Sequence, residues 1–270
     1  MKTQEVTNKG IIADFYTDES GQPRKVIIML GGSEGGKSWS RIKRPIAYLV
    51  QKGYSVLSLA YFKGKGLPNS LGEIPLEYFE KAFNWLSDQK GVVANEYAIL
   101  GGSKGAEAGL VLGSKYPQVK AVVALSPSSV VWQGIPQKRF EIGKDVKSSW
   151  SYKGENLPFL AYPAPIKKLD LLLLRLRRMH EEALRDSIKV RTSTIQVEKI
   201  HGAILLISGD RDQMWPATQM SKMIIARLKA NKFEYHFEHK VYDKGHNGII
   251  MNRDCWRKIG DFLEENFAQN

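Results

Sequence analysis

A serine, an aspartate and a histidine in this chain sit among neighbours that suit them to nucleophilic catalysis. Ser103 stands in Gly101-Gly102-Ser103-Lys104-Gly105, behind the apolar run Tyr97-Ala98-Ile99-Leu100 and ahead of an alanine- and leucine-rich helical pattern. A serine nucleophile must stand clear of its sheet on a tight strand-to-helix turn, and glycines two before and two after it let neighbouring backbone approach. Asp212 follows the apolar run Ala203 to Ser208 in Gly209-Asp210-Arg211-Asp212, and His246 follows the strand-like segment Tyr235 to Val241. An aliphatic hydroxyl is a poor nucleophile near neutral pH, so His246 would take the Ser103 proton and return it to the leaving group, while Asp212 fixes the imidazole tautomer. A tetrahedral oxyanion needs donors already in place, and the backbone N–H groups of Lys104 and Ser33 are the expected pair.

Each role has a rival. A glycine-rich turn in which Ser103 only caps a helix is the plain alternative to a nucleophile. Asp210 lies two residues from Asp212, although a Gly-x-x-Asp turn selects Asp212. His180, His201, His236 and His239 fall on or beside other elements and read as structural; only His246 follows the last strand. Ser33, in Gly31-Gly32-Ser33-Glu34-Gly35-Gly36, lacks the strand-to-helix context of a nucleophile. That loop has neither the lysine of a P-loop nor the glycine spacing of a dinucleotide fingerprint. Cys255, inside the last helical pattern, reads as packing.

The elements that must carry these residues alternate along the chain. Ile11 to Tyr16, Lys25 to Leu30, Ser55 to Ala60, the run before Ser103, Val119 to Leu125, Ala203 to Ser208 and Tyr235 to Val241 read as strands. Helical spacing of apolar residues marks Trp39 to Gln51 (Ile42, Ile46, Leu49, Val50), Leu76 to Gln89, the segment from Ser103 to about Tyr116, Ala217 to Ala230 and Asn252 to Phe267. Nearly unbroken apolar runs such as Val119 to Leu125 suit a parallel sheet buried on both faces. The pattern predicts an α/β fold with a mostly parallel central sheet and helices on both faces, and the chain order Ser, Asp, His fits an α/β-hydrolase.

Alternation stops between 131 and 200, where aromatics and prolines gather: Trp132, Phe140, Trp150, Pro158, Tyr162 and Pro165. Within it, Leu169 to Ser187 is expected to form one amphipathic basic helix. The whole of 1–270 reads as one domain, with 131–200 a cap-like insertion over the site. The insertion holds 14 Lys and Arg against 8 Asp and Glu, half of the chain's net +12. Phosphate groups of a ligand would find partners there, as would plain solvent.

A sequence pI near 9.6 favours anionic partners in general. Zinc-finger spacing, RNP-like aromatics and a compact basic tail are all missing, so no nucleic-acid partner is expected. No apolar run is long enough to span a bilayer, and the first residues do not read as a secretion signal. One cysteine excludes an internal disulfide and a multi-cysteine metal site, so a cytoplasmic location is expected, with no metal and no cofactor.

Longer stretches resemble the catalytic domain of the acyl-CoA thioesterase and bile acid-CoA:amino acid N-acyltransferase family, a branch of the α/β-hydrolases. The resemblance is carried by Leu59-Ala60-Tyr61-Phe62, Leu67-Pro68, Ile74-Pro75-Leu76-Glu77-Tyr78-Phe79, Gly102 to Gly105 with Glu107, and Ser151 to Glu155 with Leu157-Pro158. Gly209 to Asp212 with Trp215, and Gly245-His246, extend it. It implies Ser103 as nucleophile, Asp212 as acid and His246 as base. Two-domain members carry a β-sandwich ahead of this domain, and none is expected within the 23 residues from Met1 to Pro23. The family's N-acyltransferases use cysteine as nucleophile, so serine favours hydrolysis. The expectation is a serine hydrolase of acyl thioesters, acyl-CoA foremost. A carboxylic ester or amide hydrolase or acyltransferase, or a hydrolase fold acting only as a binding protein, are the alternatives.

Overall fold

The structure is a computed structural model describing residues 1–7, 9–138, 141–143, 145–163, 168–173 and 175–269. Its first elements are β1 (Lys2–Val6), β2 (Ile12–Thr17), β3 (Arg24–Leu30), a 3₁₀ turn at Ser38–Arg41, α1 (Lys43–Gln51) and β4 (Ser55–Ala60). Next come β5 (Ile74–Pro75), α2 (Glu77–Ser87), β6 (Val92–Gly102), α3 (Lys104–Lys115) and β7 (Val119–Leu125). The stretch before the next long strand holds β8 (Trp150–Tyr152), β9 (Glu155–Asn156), α4 (Lys168–Leu172), α5 (Arg177–Ala183) and α6 (Ser187–Ser193). β10 (Ala203–Gly209), α7 (Ala217–Ala230), β11 (Phe237–Tyr242) and α8 (Arg253–Asn266) complete the chain.

Eight strands form one sheet in the order β1-β2-β4-β3-β6-β7-β10-β11. β1, β2 and β4 pair antiparallel, and every pairing from β4 to β11 is parallel. Alternate residues of a strand face opposite sides of its sheet, and β3 shows the consequence. Its Val26, Ile28 and Leu30 pack under α2 and α3, while Ile27 and Met29 pack under α1 and α8. A strand buried on both faces has little place for a polar alternate, which is why β3 after Lys25, β7 apart from Lys120, and β10 read as apolar runs. Each leucine-sized side chain so buried contributes about 1.5–3 kcal/mol.

The expected α/β architecture is present, with differences that have physical causes. β1 carries Lys-Thr-Gln-Glu-Val, almost wholly exposed; besides its backbone ladder it is held by Lys37, which bridges Glu5 to Asp14 of β2, and by the buried Val6, and no apolar alternation announces it. The helix expected over Trp39 to Gln51 divides at Ile42 into the 3₁₀ turn and α1, because Pro45 is tolerated only within a first helical turn. Ile42 is accordingly exposed rather than part of the core. The single helix expected over Leu169 to Ser187 is not formed. Leu169 and Leu172 are 63% and 77% exposed, Arg177 N–H donates to Gln213 O at 2.9 Å, and a separate α6 begins under the Asp186 cap. Those leucines bury no stripe that could hold one continuous helix. Phe140 and Pro165 lie outside the described residues. The small sheet β5-β8-β9 ties Ile74 to Trp150, joining the stretch after β7 to the chain before α2.

Candidate active site

β6 ends where its backbone must turn sharply into α3, and Ser103 occupies the turn. Its φ of +56° and ψ of −118° put a non-glycine residue in a strained conformation. Neighbouring backbone imposes it. Ser103 N–H donates to Leu125 O at 2.8 Å, and its carbonyl accepts from Ala106 and Glu107 N–H at 2.9 and 3.1 Å. The flanking glycines are required by contact: a Cβ on Gly101 would lie 2.1 Å from Gly105 O, and one on Gly105 would lie 2.3 Å from Leu30 O. The turn is thus wedged against the end of β3.

Asp212 follows β10, with 1% of its side chain exposed. Its Oδ1 accepts from Met214 and Trp215 N–H at 2.8 and 3.2 Å, and its Oδ2 lies 2.7 Å from Nδ1 of His246. An ionised carboxylate there requires the proton on Nδ1, which leaves Nε2 with the lone pair of a base. Arg177 of α5 donates to the Asp212 carbonyl at 3.2 Å and ties the stretch after β7 to this loop. The Trp215 ring meets the His246 ring edge-on at 5.8 Å. Asp210 is exposed, so burial and hydrogen bonding separate the two aspartates that spacing alone had to rank.

Ser103 and His246 share the wall of one cavity of about 400 Å³, with Glu34, Trp39, Ile250 and Met251. Among the described residues no hydrogen bond joins Ser103 Oγ to His246; such contacts commonly close only around substrate. Ser103 also borders a cavity of about 130 Å³ together with Ser33, Lys104, Ile135, Tyr162 and Met179. Neither the Ser33 nor the Lys104 N–H donates to a described backbone or side-chain acceptor. Gly32 N–H, beside them, is taken by Glu34 Oε1 at 2.9 Å. Of the other histidines, His239 Nε2 bonds Ser208 Oγ at 2.7 Å, His201 and His236 are exposed, and the buried His180 lines the smaller cavity with Ser103 and packs edge-on against Trp215. Cys255 is buried, and burial pushes its thiol up to about 12, far from a reactive thiolate.

Beneath Ser103 lies a network that residue spacing alone did not single out. Lys104 Nζ sits 2.9 and 2.7 Å from the two carboxylate oxygens of Glu107, and both side chains are buried. Glu107 Oε1 also accepts from Trp150 Nε1 at 2.8 Å and Trp132 N–H at 3.1 Å. Burial pushes Lys104 down and Glu107 up, and their mutual contact opposes both shifts. The available signal was a charged i,i+3 pair in an otherwise apolar helix.

Comparison with known proteins agrees with this architecture. Residues 74–249 match the family described as BAAT / Acyl-CoA thioester hydrolase C terminal. The mouse protein named acyl-coenzyme A thioesterase 2, mitochondrial, is 30% identical over 220 residues, covering 80% of this chain and 43% of its own length. The mouse acyl-coenzyme A amino acid N-acyltransferase 1 is 24% identical over 240 residues, covering 85% of this chain and 50% of its own. The chain therefore spans about half the length of the curated relatives it matches. The structure of Pyrococcus furiosus esterase Pf2001 superposes with a TM-score of 0.59 at 18% identity, covering 98% of this chain and 93% of that one. This chain has the α/β-hydrolase fold and belongs to the BAAT / acyl-CoA thioester hydrolase C-terminal family.

Proposed function

We propose that this protein is a serine hydrolase of acyl thioesters, acyl-CoA in particular, acting through Ser103, His246 and Asp212. The observation that carries the reading is the 2.7 Å contact of Asp212 Oδ2 with His246 Nδ1, beside a cavity that His246 shares with the strained Ser103. Ser103 Oγ attacks the thioester carbonyl carbon while Nε2 of His246 takes its proton. The Lys104 and Ser33 N–H groups receive the oxyanion, the C–S bond breaks with its electron pair on sulfur, and the imidazolium gives the proton to the departing thiolate, which leaves as the thiol. Water then attacks acyl-Ser103 by the same route, releasing the acid. No step needs a metal or a cofactor.

The names of the family and of its thioesterase relatives support the thioester as substrate. The resemblance to an esterase structure supports the fold only, and a carboxylic ester would fit the same chemistry. We further propose that residues 131–200 form a cap, since Ile135, Tyr162, Leu176 and Met179 wall the smaller cavity at Ser103. Among the described residues no helix is long and apolar enough to cross a membrane; the lone, unpaired Cys255 suits a cytoplasmic setting. The test is thiol release from an acyl-CoA by wild type and Ser103→Ala. The reading expects a loss of about 10³-fold or more; a variant within tenfold of wild type would refute it, and a wild type that cleaves aryl esters alone would move the substrate to carboxylic esters.

A further inference from the structure

The cap holds 14 Lys and Arg, yet among the described residues none of them lines either cavity that meets at Ser103. Arginines stand on another side. The 400 Å³ cavity includes Arg41, and it shares Ile42, Ile250 and Met251 with a neighbouring cavity of about 490 Å³. That second cavity is walled by Pro45, Tyr48 and Trp256, with Arg44, Arg253 and Arg257 at its edge. The two run on from one another as a groove that starts at Ser103, passes an apolar waist and ends between α1 and α8.

Charge in the groove is graded. At the Ser103 end stands Glu34, whose carboxylate is engaged by Gly32 N–H. At the far end Arg257 is paired with Asp254, while Arg41, Arg44 and Arg253 form no ion pair among the described residues. All four arginines are exposed. Guanidinium groups suit phosphate oxygens in a way that a scattered solvated surface does not, because two parallel donors meet two acceptors. The exposed Met251 and the half-buried Trp256 offer apolar surface beside them, which a phosphate ion alone would leave uncovered.

We propose that this groove binds the nucleoside-phosphate end of the thioester's carrier, with the phosphates among Arg41, Arg44 and Arg253 and the base against Tyr48 or Trp256. The inference rests on the acyl-CoA reading. The pantetheine arm crosses Ile42, Ile250 and Met251 to bring the thioester to Ser103, and the acyl group enters the 130 Å³ cavity under the cap. Selection of a phosphorylated carrier then belongs to α1 and α8, and selection of the acyl group to the cap.

The experiment compares Arg44→Glu/Arg253→Glu with the cap control Arg178→Glu/Arg185→Glu. Substrates are an acyl-CoA and the phosphate-free thioester of the same acyl group with pantetheine. The groove variant should raise KM for the acyl-CoA about tenfold or more, remove most of its salt dependence and lower the preference for acyl-CoA over the pantetheine thioester by the same factor. The cap variant should change neither. An acyl-CoA KM within twofold of wild type in the groove variant, an equal rise for both substrates, or a rise confined to the cap variant would overturn the proposal. If wild type cleaves neither thioester, the activity reading fails by itself and calorimetric binding of free CoA decides the groove. Binding to wild type that is lost in the groove variant upholds it; no binding, or equal binding to both, overturns it.

Discussion

The Lys104 ammonium and the Glu107 carboxylate form a buried ion pair one turn below Ser103, 2% and 0% exposed, at 2.7 Å. The pair sits on the first turn of α3, whose leading N–H is one of the proposed oxyanion donors. Through Trp132 and Trp150 it also grips the segment after β7. One pair thereby couples the nucleophile turn to the proposed cap.

Removing one partner should be far worse than removing both. Glu107→Ala leaves a buried ammonium and two unpaired donors, the Trp150 indole N–H and the Trp132 backbone N–H, and is expected to cost about 3–5 kcal/mol. Lys104→Met/Glu107→Leu should recover a substantial part of that loss. Urea denaturation of the two variants checks the order; equal loss in both would show that the charges do not act as a pair.

Strain at Ser103 predicts opposite effects on stability and turnover. Ser103→Gly frees a φ of +56° that costs a serine about 1–3 kcal/mol, against about 0.5–1 kcal/mol of added chain entropy. The variant should therefore melt about as high as wild type or higher, with thioester hydrolysis abolished. Thermal melts and an activity assay on one preparation suffice, and a clear fall in melting temperature would contradict stored strain.

The two aspartates of the Gly209 loop should separate cleanly. Asp212→Asn leaves the packing but reverses the hydrogen bond to His246 Nδ1, so kcat should fall by about 10³–10⁴-fold. Asp210→Asn, at an exposed side chain, should change kcat by less than about threefold. Steady-state kinetics on both variants decide the assignment.

His180 supplies a pH signature of folding. Burial among Trp132, Tyr162 and Trp215 lowers its pKa from 6.5 to about 4, and its Nδ1–H donates to Leu176 O at 2.8 Å. Between those values the unfolded chain binds a proton that the folded chain refuses. Its contribution is thus intact above about pH 6.5 and is lost as the pH falls toward 4, by about 3 kcal/mol in all. Denaturant midpoints across this range should slope more steeply for wild type than for His180→Phe; parallel slopes would assign the acid sensitivity elsewhere.

The residues that sequence made legible are those whose role is fixed by local backbone. Ser103 is announced by glycines that contact forces on the turn, and β7 by an apolar run with both faces covered. The role of Arg177 and the grip of Glu107 on Trp132 and Trp150 depend on partners tens of residues away, which no local pattern marks. The failed helix over Leu169 to Ser187 has the same origin: its leucines had the right period but no surface to pack on. Arg41, Arg44 and Arg253 come together only once α1 and α8 lie on one face of the sheet, so no local run of charge joins all three.

The central claim is that His246 activates Ser103 as a covalent nucleophile. A fluorophosphonate probe, followed by mass spectrometry of the labelled peptide, tests it directly. The account predicts a single adduct on Ser103, suppressed by prior incubation with acyl-CoA and at least about 100-fold slower in His246→Ala. An adduct on another residue, or labelling of Ser103 at an unchanged rate in His246→Ala, would contradict it.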